Sequence, residues 1–166
     1  KFDKRLDALT AIEDEVNGIL LYKMQDEPYC PIVNMRLTGK GTAGHVVSDP
    51  KNVDTVNEFL KRNPEFRFVK FHTHSQGTLK QFGELYGHGF SPEDIAIYNE
   101  QIAQDPEFIG MVATPKTKVI YGIDDPILEI IRYHPRDLEK QISEEIDRIK
   151  VELGSGPTRY QSKAIW

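Results

Sequence analysis

Phe66-Arg-Phe-Val-Lys-Phe-His-Thr-His74 is the stretch on which the fold turns. Its aromatic content and alternation predict an extended strand, in which side chains two apart share a face. Phe66, Phe68, Lys70, His72 and His74 therefore lie on one side, and the two imidazoles point the same way.

Working upstream, Leu6, Leu9, Ile12 and Val16 recur every three or four residues among charges and predict an amphipathic helix over 4–16. The apolar run Gly18-Ile-Leu-Leu-Tyr22 follows as a buried strand, and a second strand is expected over 31–37. Gly39-Lys-Gly-Thr-Ala-Gly44 breaks that pattern before a short His45-Val-Val47 segment; lacking the Lys-Ser/Thr ending of a phosphate loop, it reads as a turn. Asp49-Pro50 opens a helix to about residue 62, with Val53, Val56, Phe59 and Leu60 inward.

Downstream, residues 75–90 hold Gly77, Gly83, Gly87 and Gly89 and read as a long loop. Because it starts at His74 and ends at Ser91, that loop is expected to act as a lid over a groove, the alternative being a passive insertion. Ser91-Pro-Glu-Asp94 starts a helix to about 104, and strands at 108–114 and 117–122 flank a Pro115-Lys116 turn. A further strand is expected at 127–133 and a last helix at 135–153, aligning Leu138, Ile142, Ile146, Ile149 and Leu153; Gly154-Ser-Gly-Pro157 ends it. The expected architecture is a mixed α/β domain over 1–153, one curved mixed sheet flanked by helices, with a C-terminal tail at 154–166. A chain of 166 residues fits one such domain. It is too short for a complete TIM barrel, which removes the amidohydrolase reading of a His-x-His strand. Ser75-Gln76 after His74, in place of an Asp-His pair, removes the metallo-β-lactamase pattern.

Composition narrows the function. Hydrophobic residues at 39% against 28% charged are a globular balance, and no run approaches the roughly 20 apolar residues of a membrane span, so a soluble protein is expected. A net charge of -5 gives no footprint for nucleic acid. The single cysteine, Cys30, has no disulfide partner in the chain and no basic neighbour to activate it; a reducing, cytoplasmic setting fits, and any metal must be held by nitrogen and oxygen. The chain begins at Lys1 with no apolar signal segment, and is expected to be trimmed or a fragment of a longer protein.

His72 and His74 on one strand face can share a metal, and a catalytic site needs a third protein ligand with one position left open. Asp94, in the first turn of its helix, can supply it. Ser91 and Asp94 also read as an ordinary helix start, the hydroxyl and carboxylate satisfying free backbone amides around a proline at the first position. Glu15, expected in the last turn of the first helix, sits at the unfavourable end of the helix dipole, which leaves either a functional role or a solvated acidic run with Glu13 and Asp14. His45 and His88 read as solvent-facing histidines.

Glu15-Val-Asn-Gly18-Ile-Leu-Leu21, then His72-Thr-His74, then Ser91-Pro-Glu-Asp94, in that order, resembles the JAMM motif of the MPN+ metalloproteases, over roughly residues 4–122. The resemblance implies an MPN-like domain with a Zn2+ ion on His72, His74 and Asp94. It further implies that Glu15 takes a proton from the attacking water and passes it to the leaving amine, and that Ser91 donates to the developing oxyanion. The implied activity is cleavage of a peptide or isopeptide bond after the C-terminal tail of a ubiquitin-like or sulfur-carrier protein, with no nucleic-acid or membrane partner. Two departures stand out: Ser75 occupies the place of the usual Pro, and 91 - 74 - 1 = 16 residues separate His74 from Ser91 where about seven are usual. A metal-free MPN scaffold, docking through helix 135–153 and the Tyr160 to Trp166 tail, is the alternative.

Overall fold

Gly18-Ile-Leu-Leu-Tyr22 lies inside β1 (Val16–Lys23), buried along nearly its whole length because it is covered on both faces. Leu20 and Tyr22 join a cluster with Phe2, Leu6, Val69 and Phe71, whereas Ile19 and Leu21 join Val33, Val56, Phe59 and Phe66. Successive side chains of a strand point to opposite faces, so two cores form on the two sides of one sheet.

The computed structural model describes residues 2–24, 32–122 and 144. Around β1 the described elements are α1 (Phe2–Thr10), β2 (Ile32–Lys40), α2 (Pro50–Arg62), β3 (Phe66–Thr73), α3 (Gln76–Phe82), a 3-10 turn (Glu84–His88), α4 (Pro92–Gln104), β4 (Gly110–Ala113) and β5 (Lys118–Tyr121). The strands form an open sheet in the order β2-β1-β3-β4-β5, antiparallel except for the β3–β4 pair, which is parallel. This is the mixed α/β class expected. Cys30, the strand expected at 127–133, the helix at 135–153 apart from Glu144, and the tail at 154–166 lie outside the described residues.

The alternation along β3 holds. Val69 and Phe71 belong to the core that contains Phe2 and Leu6 of α1, and Phe66 and Phe68 to the one that contains Val56 and Phe59 of α2. Lys70 and His72 continue the α2 side by period two, and their β4 neighbours Gly110 and Val112 share it. Gly110 is required there because a Cβ would lie 2.5 Å from the Tyr98 ring of α4. Tyr98 thereby packs against β4, next to the strand that carries His72.

Two expectations need correction. The first helix ends at Thr10 instead of running to 16: Ile12 is 39% exposed, and Glu15 enters the β1 extension, its carbonyl accepting from Gly41 N at 2.9 Å. The segment between is captured by tertiary contacts, Ser75 Oγ donating to the Glu13 carbonyl at 2.7 Å, so the apolar spacing that continued to Val16 is overridden. The dipole argument about Glu15 therefore does not apply.

Residues 75–90, expected as a loop, hold α3 and the 3-10 turn. Ser75 caps α3 reciprocally with Thr78, the Thr78 amide donating to Ser75 Oγ and the Ser75 amide to Thr78 Oγ1, each at 3.2 Å. Gly77 is no hinge. A Cβ there would stand 2.0 Å from the Glu13 carbonyl oxygen, so glycine permits the helix to touch the lead-in to β1. The far end is tied down by Thr114 Oγ1, which donates to the Gly87 carbonyl at 2.8 Å, and by the Lys116–Glu84 pair. The segment is thus helical turns held near both ends, in place of the loop expected.

Gly18, at a register irregularity between β1 and β2, is similarly constrained: a Cβ would lie 2.3 Å from the Arg36 carbonyl oxygen and 2.8 Å from the Phe71 ring. Gly18→Ala is expected to cost about 1–3 kcal/mol, the usual penalty for overpacking a filled site. Urea denaturation checks this, and an unchanged midpoint would show that the strands yield.

Candidate metal centre

His72 belongs to β3 and His74 prolongs it, donating its amide to the Ala113 carbonyl at 2.9 Å. Both are on one face, so their Nε2 atoms approach to 3.3 Å. α4 delivers the third group. Its cap is built as the sequence led one to expect, with Ser91 N donating to Asp94 Oδ2 at 2.8 Å and Asp94 N to Ser91 Oγ at 3.1 Å. The cap holds the carboxylate with Oδ1 3.2 Å from His72 Nε2 and Oδ2 3.2 Å from His74 Nε2. Capping and convergence are thus two properties of one geometry. The potential ligand atoms of His72, His74 and Asp94 lie within 4.8 Å of one another, and the group can hold a metal ion.

The outer ring nitrogens show whether the donors fit such an ion. His74 Nδ1 meets the Tyr86 carbonyl at 2.9 Å; a carbonyl only accepts, so Nδ1 carries the hydrogen and Nε2 of the neutral ring is a lone pair. His72 Nδ1 meets Tyr98 Oη at 2.9 Å, and that hydroxyl donates to the Met111 carbonyl at 3.4 Å, leaving it to accept from the ring. Two imine lone pairs and a carboxylate therefore face one point. Acceptors so placed repel unless a proton or a cation lies between them, and outer hydrogen bonds that fix the tautomer are what metal-bound histidines use.

Among the protein groups alone, the charges respond accordingly. Burial would raise the Asp94 carboxyl, but when protons occupy the Nε2 atoms the hydrogen bonds from His72 and His74, the His72 charge and the Ser91 amide outweigh it and hold Asp94 well below the usual carboxylate range. Burial would lower His74, yet the bond to Asp94 leaves it raised. Burial also pushes the Lys70 ammonium down to about 7, and raises the Tyr98 phenol.

A cavity of about 490 Å3 opens on this group, lined by Glu15, Asn17, His72, His74, Ser91 and Asp94 among others. Sequence positions 15, 72–74 and 91–94 are thus brought to one place. Glu15 is 4% exposed, and Thr78 Oγ1 donates to its Oε1 at 2.7 Å. Burial is the larger influence on its carboxyl and raises it, the Thr78 bond opposing. A buried acid on a cavity wall is not the solvated run that its neighbours Glu13 and Asp14 resemble.

Some residues at the site escaped the sequence. Tyr98 lies four residues after Asp94, one helical turn on the same face, and that spacing was the available signal. Thr78 was signalled by the Ser75-x-x-Thr78 cap, hidden among glycines. The Tyr86 carbonyl, a backbone group, has no sequence signature. His45 is exposed, as expected, though on the cavity wall, and His88 is exposed in the 3-10 turn. Tyr98→Phe, which removes the oxygen behind His72, is expected to weaken zinc binding roughly 10–100-fold, measured by competition with a chromophoric chelator. Unchanged affinity would mean that the phenol does not orient the ring.

No protein-family model matches the chain, and no curated protein matches it significantly.

Proposed function

We propose that the chain is a zinc-dependent peptidase or isopeptidase resembling the JAMM enzymes, acting after the C-terminal tail of a ubiquitin-like or sulfur-carrier protein. The observation that carries it is the convergence of two imidazole nitrogens and one carboxylate beside a buried acid on the same cavity. Nitrogen and oxygen donors with room for a further ligand suit zinc in a catalytic role. When bound, the ion supplies Lewis acidity and makes water a readier nucleophile near neutral pH.

The remaining work falls to the chain. His72, His74 and Asp94 hold the ion, with Tyr98 and the Tyr86 carbonyl fixing the rings. Glu15 takes the proton of the attacking water and returns it to the leaving amine; its raised carboxyl suits both halves of that exchange. Ser91 Oγ only accepts in the helix cap, so its hydrogen remains to be donated to the oxyanion. A cytoplasmic setting belongs to the same proposal. Among the described residues no helix is long and apolar enough to cross a membrane.

The test is metal analysis of protein purified without added metal, followed by cleavage assays on ubiquitin-like and sulfur-carrier proteins carrying C-terminal extensions. About one zinc per chain and metal-dependent cleavage are expected. A chain that stays metal-free after incubation with zinc would replace the enzyme by the scaffold.

A further inference from the structure

We propose that Thr78, brought by the helix inserted after His74, is a positioning residue that fixes the carboxylate of Glu15 toward the cavity. The inference rests on the hydrolase reading of Glu15 but concerns a contact that can be measured without it.

Thr78 and Glu15 are 63 residues apart, and both are buried. The direction of their bond follows from counting hydrogens. Ser75 Oγ spends its hydrogen on the Glu13 carbonyl, and the Glu15 carboxylate has none to give, so the shortest contact of the Thr78 hydroxyl, 2.7 Å to Glu15 Oε1, takes the Thr78 hydrogen. Oε2 is the oxygen left to take a proton. The donor is itself immobilised: α3 is capped through the same two hydroxyls and pressed onto Glu13 at Gly77. Such a donor selects one carboxylate rotamer and favours its ionised form against burial. The charged groups facing Glu15 are His72, His74 and Asp94, which Thr78 does not touch. Insertion of a helix where the JAMM pattern has a short connection thus supplies a support for the base.

The test is 13C NMR of glutamate-carboxyl-labelled protein treated with a chelator, with the Glu15 signal assigned by its loss in Glu15→Gln. In Thr78→Val, which keeps the shape and removes the hydroxyl, the Glu15 midpoint is expected to rise by about one pH unit. Thr78→Ser, which keeps the hydroxyl, should restore it. In the wild type, the Thr78 methyl resonance should titrate with the same midpoint as the Glu15 carboxyl, a measurement that needs no folded variant. An unshifted midpoint in folded Thr78→Val, a shift that Thr78→Ser fails to restore, or a Thr78 methyl blind to Glu15 would each overturn the proposal. A wild type that binds no zinc would remove the hydrolase reading while leaving these titrations to be judged on their own.

Discussion

Glu15→Gln is expected to keep about one zinc per chain and an unchanged melting temperature while cutting turnover roughly 100- to 10,000-fold, the range that a positioned acid–base group contributes. The amide is nearly isosteric and its oxygen can still accept from Thr78 Oγ1, so the bond that now holds Oε1 survives the change. Removal of a carboxyl disfavoured by burial costs the fold nothing electrostatic. What the amide lacks is a lone-pair oxygen basic enough to carry a proton to the leaving amine. A variant that turns over at the wild-type rate would dismiss Glu15 as the base. Exposed Glu13, whose carboxylate pairs with Lys80 at 2.5 Å, would be a poor replacement.

The second large effect is loss of the ion. His74→Ala or Asp94→Ala should lower bound zinc from about one per chain to under roughly a tenth, since two remaining protein ligands hold it too weakly to survive purification. Zinc affinity should begin to weaken as pH falls below the raised His74 value of the zinc-free site, because a proton then competes for the Nε2 lone pair, and release of the bound ion should follow at lower pH. The zinc-free protein has its own pH dependence. His74, raised when folded, adds stability that is full below the ordinary 6.5 and vanishes as pH rises through the folded value. Asp94, lowered when folded, adds stability present above the ordinary 3.8 and lost as pH falls through its folded value. The pair thus stabilises the zinc-free fold most between 3.8 and 6.5. A chelator should therefore depress the melting temperature more at pH 8 than at pH 6, and an equal or reversed effect would disconnect this pair from the metal.

How much of this was legible depended on whether a residue's surroundings were local. The common face of Phe66, Phe68, His72 and His74 follows from strand geometry alone, and the Ser91 to Asp94 helix start from capping chemistry, so both could be read from the chain. The end of α1 could not, since apolar spacing ran on to Val16 while a hydroxyl 62 residues away held the Glu13 backbone. Nor could α3: its glycine signalled a loop by the usual rule, whereas its function is to admit the Glu13 carbonyl at close range. The candidate ligands were visible as types in order; Tyr98 and Thr78 left only local spacing signals that do not say what they support, and the Tyr86 carbonyl left none.

One parallel pair sits in an otherwise antiparallel sheet, and its register has a kinetic consequence. β3 ends at Thr73 and β4 begins at Gly110, so the 110 - 73 - 1 = 36 residues between must leave β3, cross a face and return before that ladder can close. Non-local pairing of this kind forms late, because loop entropy is lost before the contacts compensate it. His72 and His74 stand where the excursion departs and Asp94 stands within it, so an ion gripped by all three would be a removable staple across this non-local crossover. Its grip would belong to the finished ladder more than to the barrier, and added zinc is then expected to slow unfolding more than it speeds folding, which stopped-flow kinetics with and without a chelator checks.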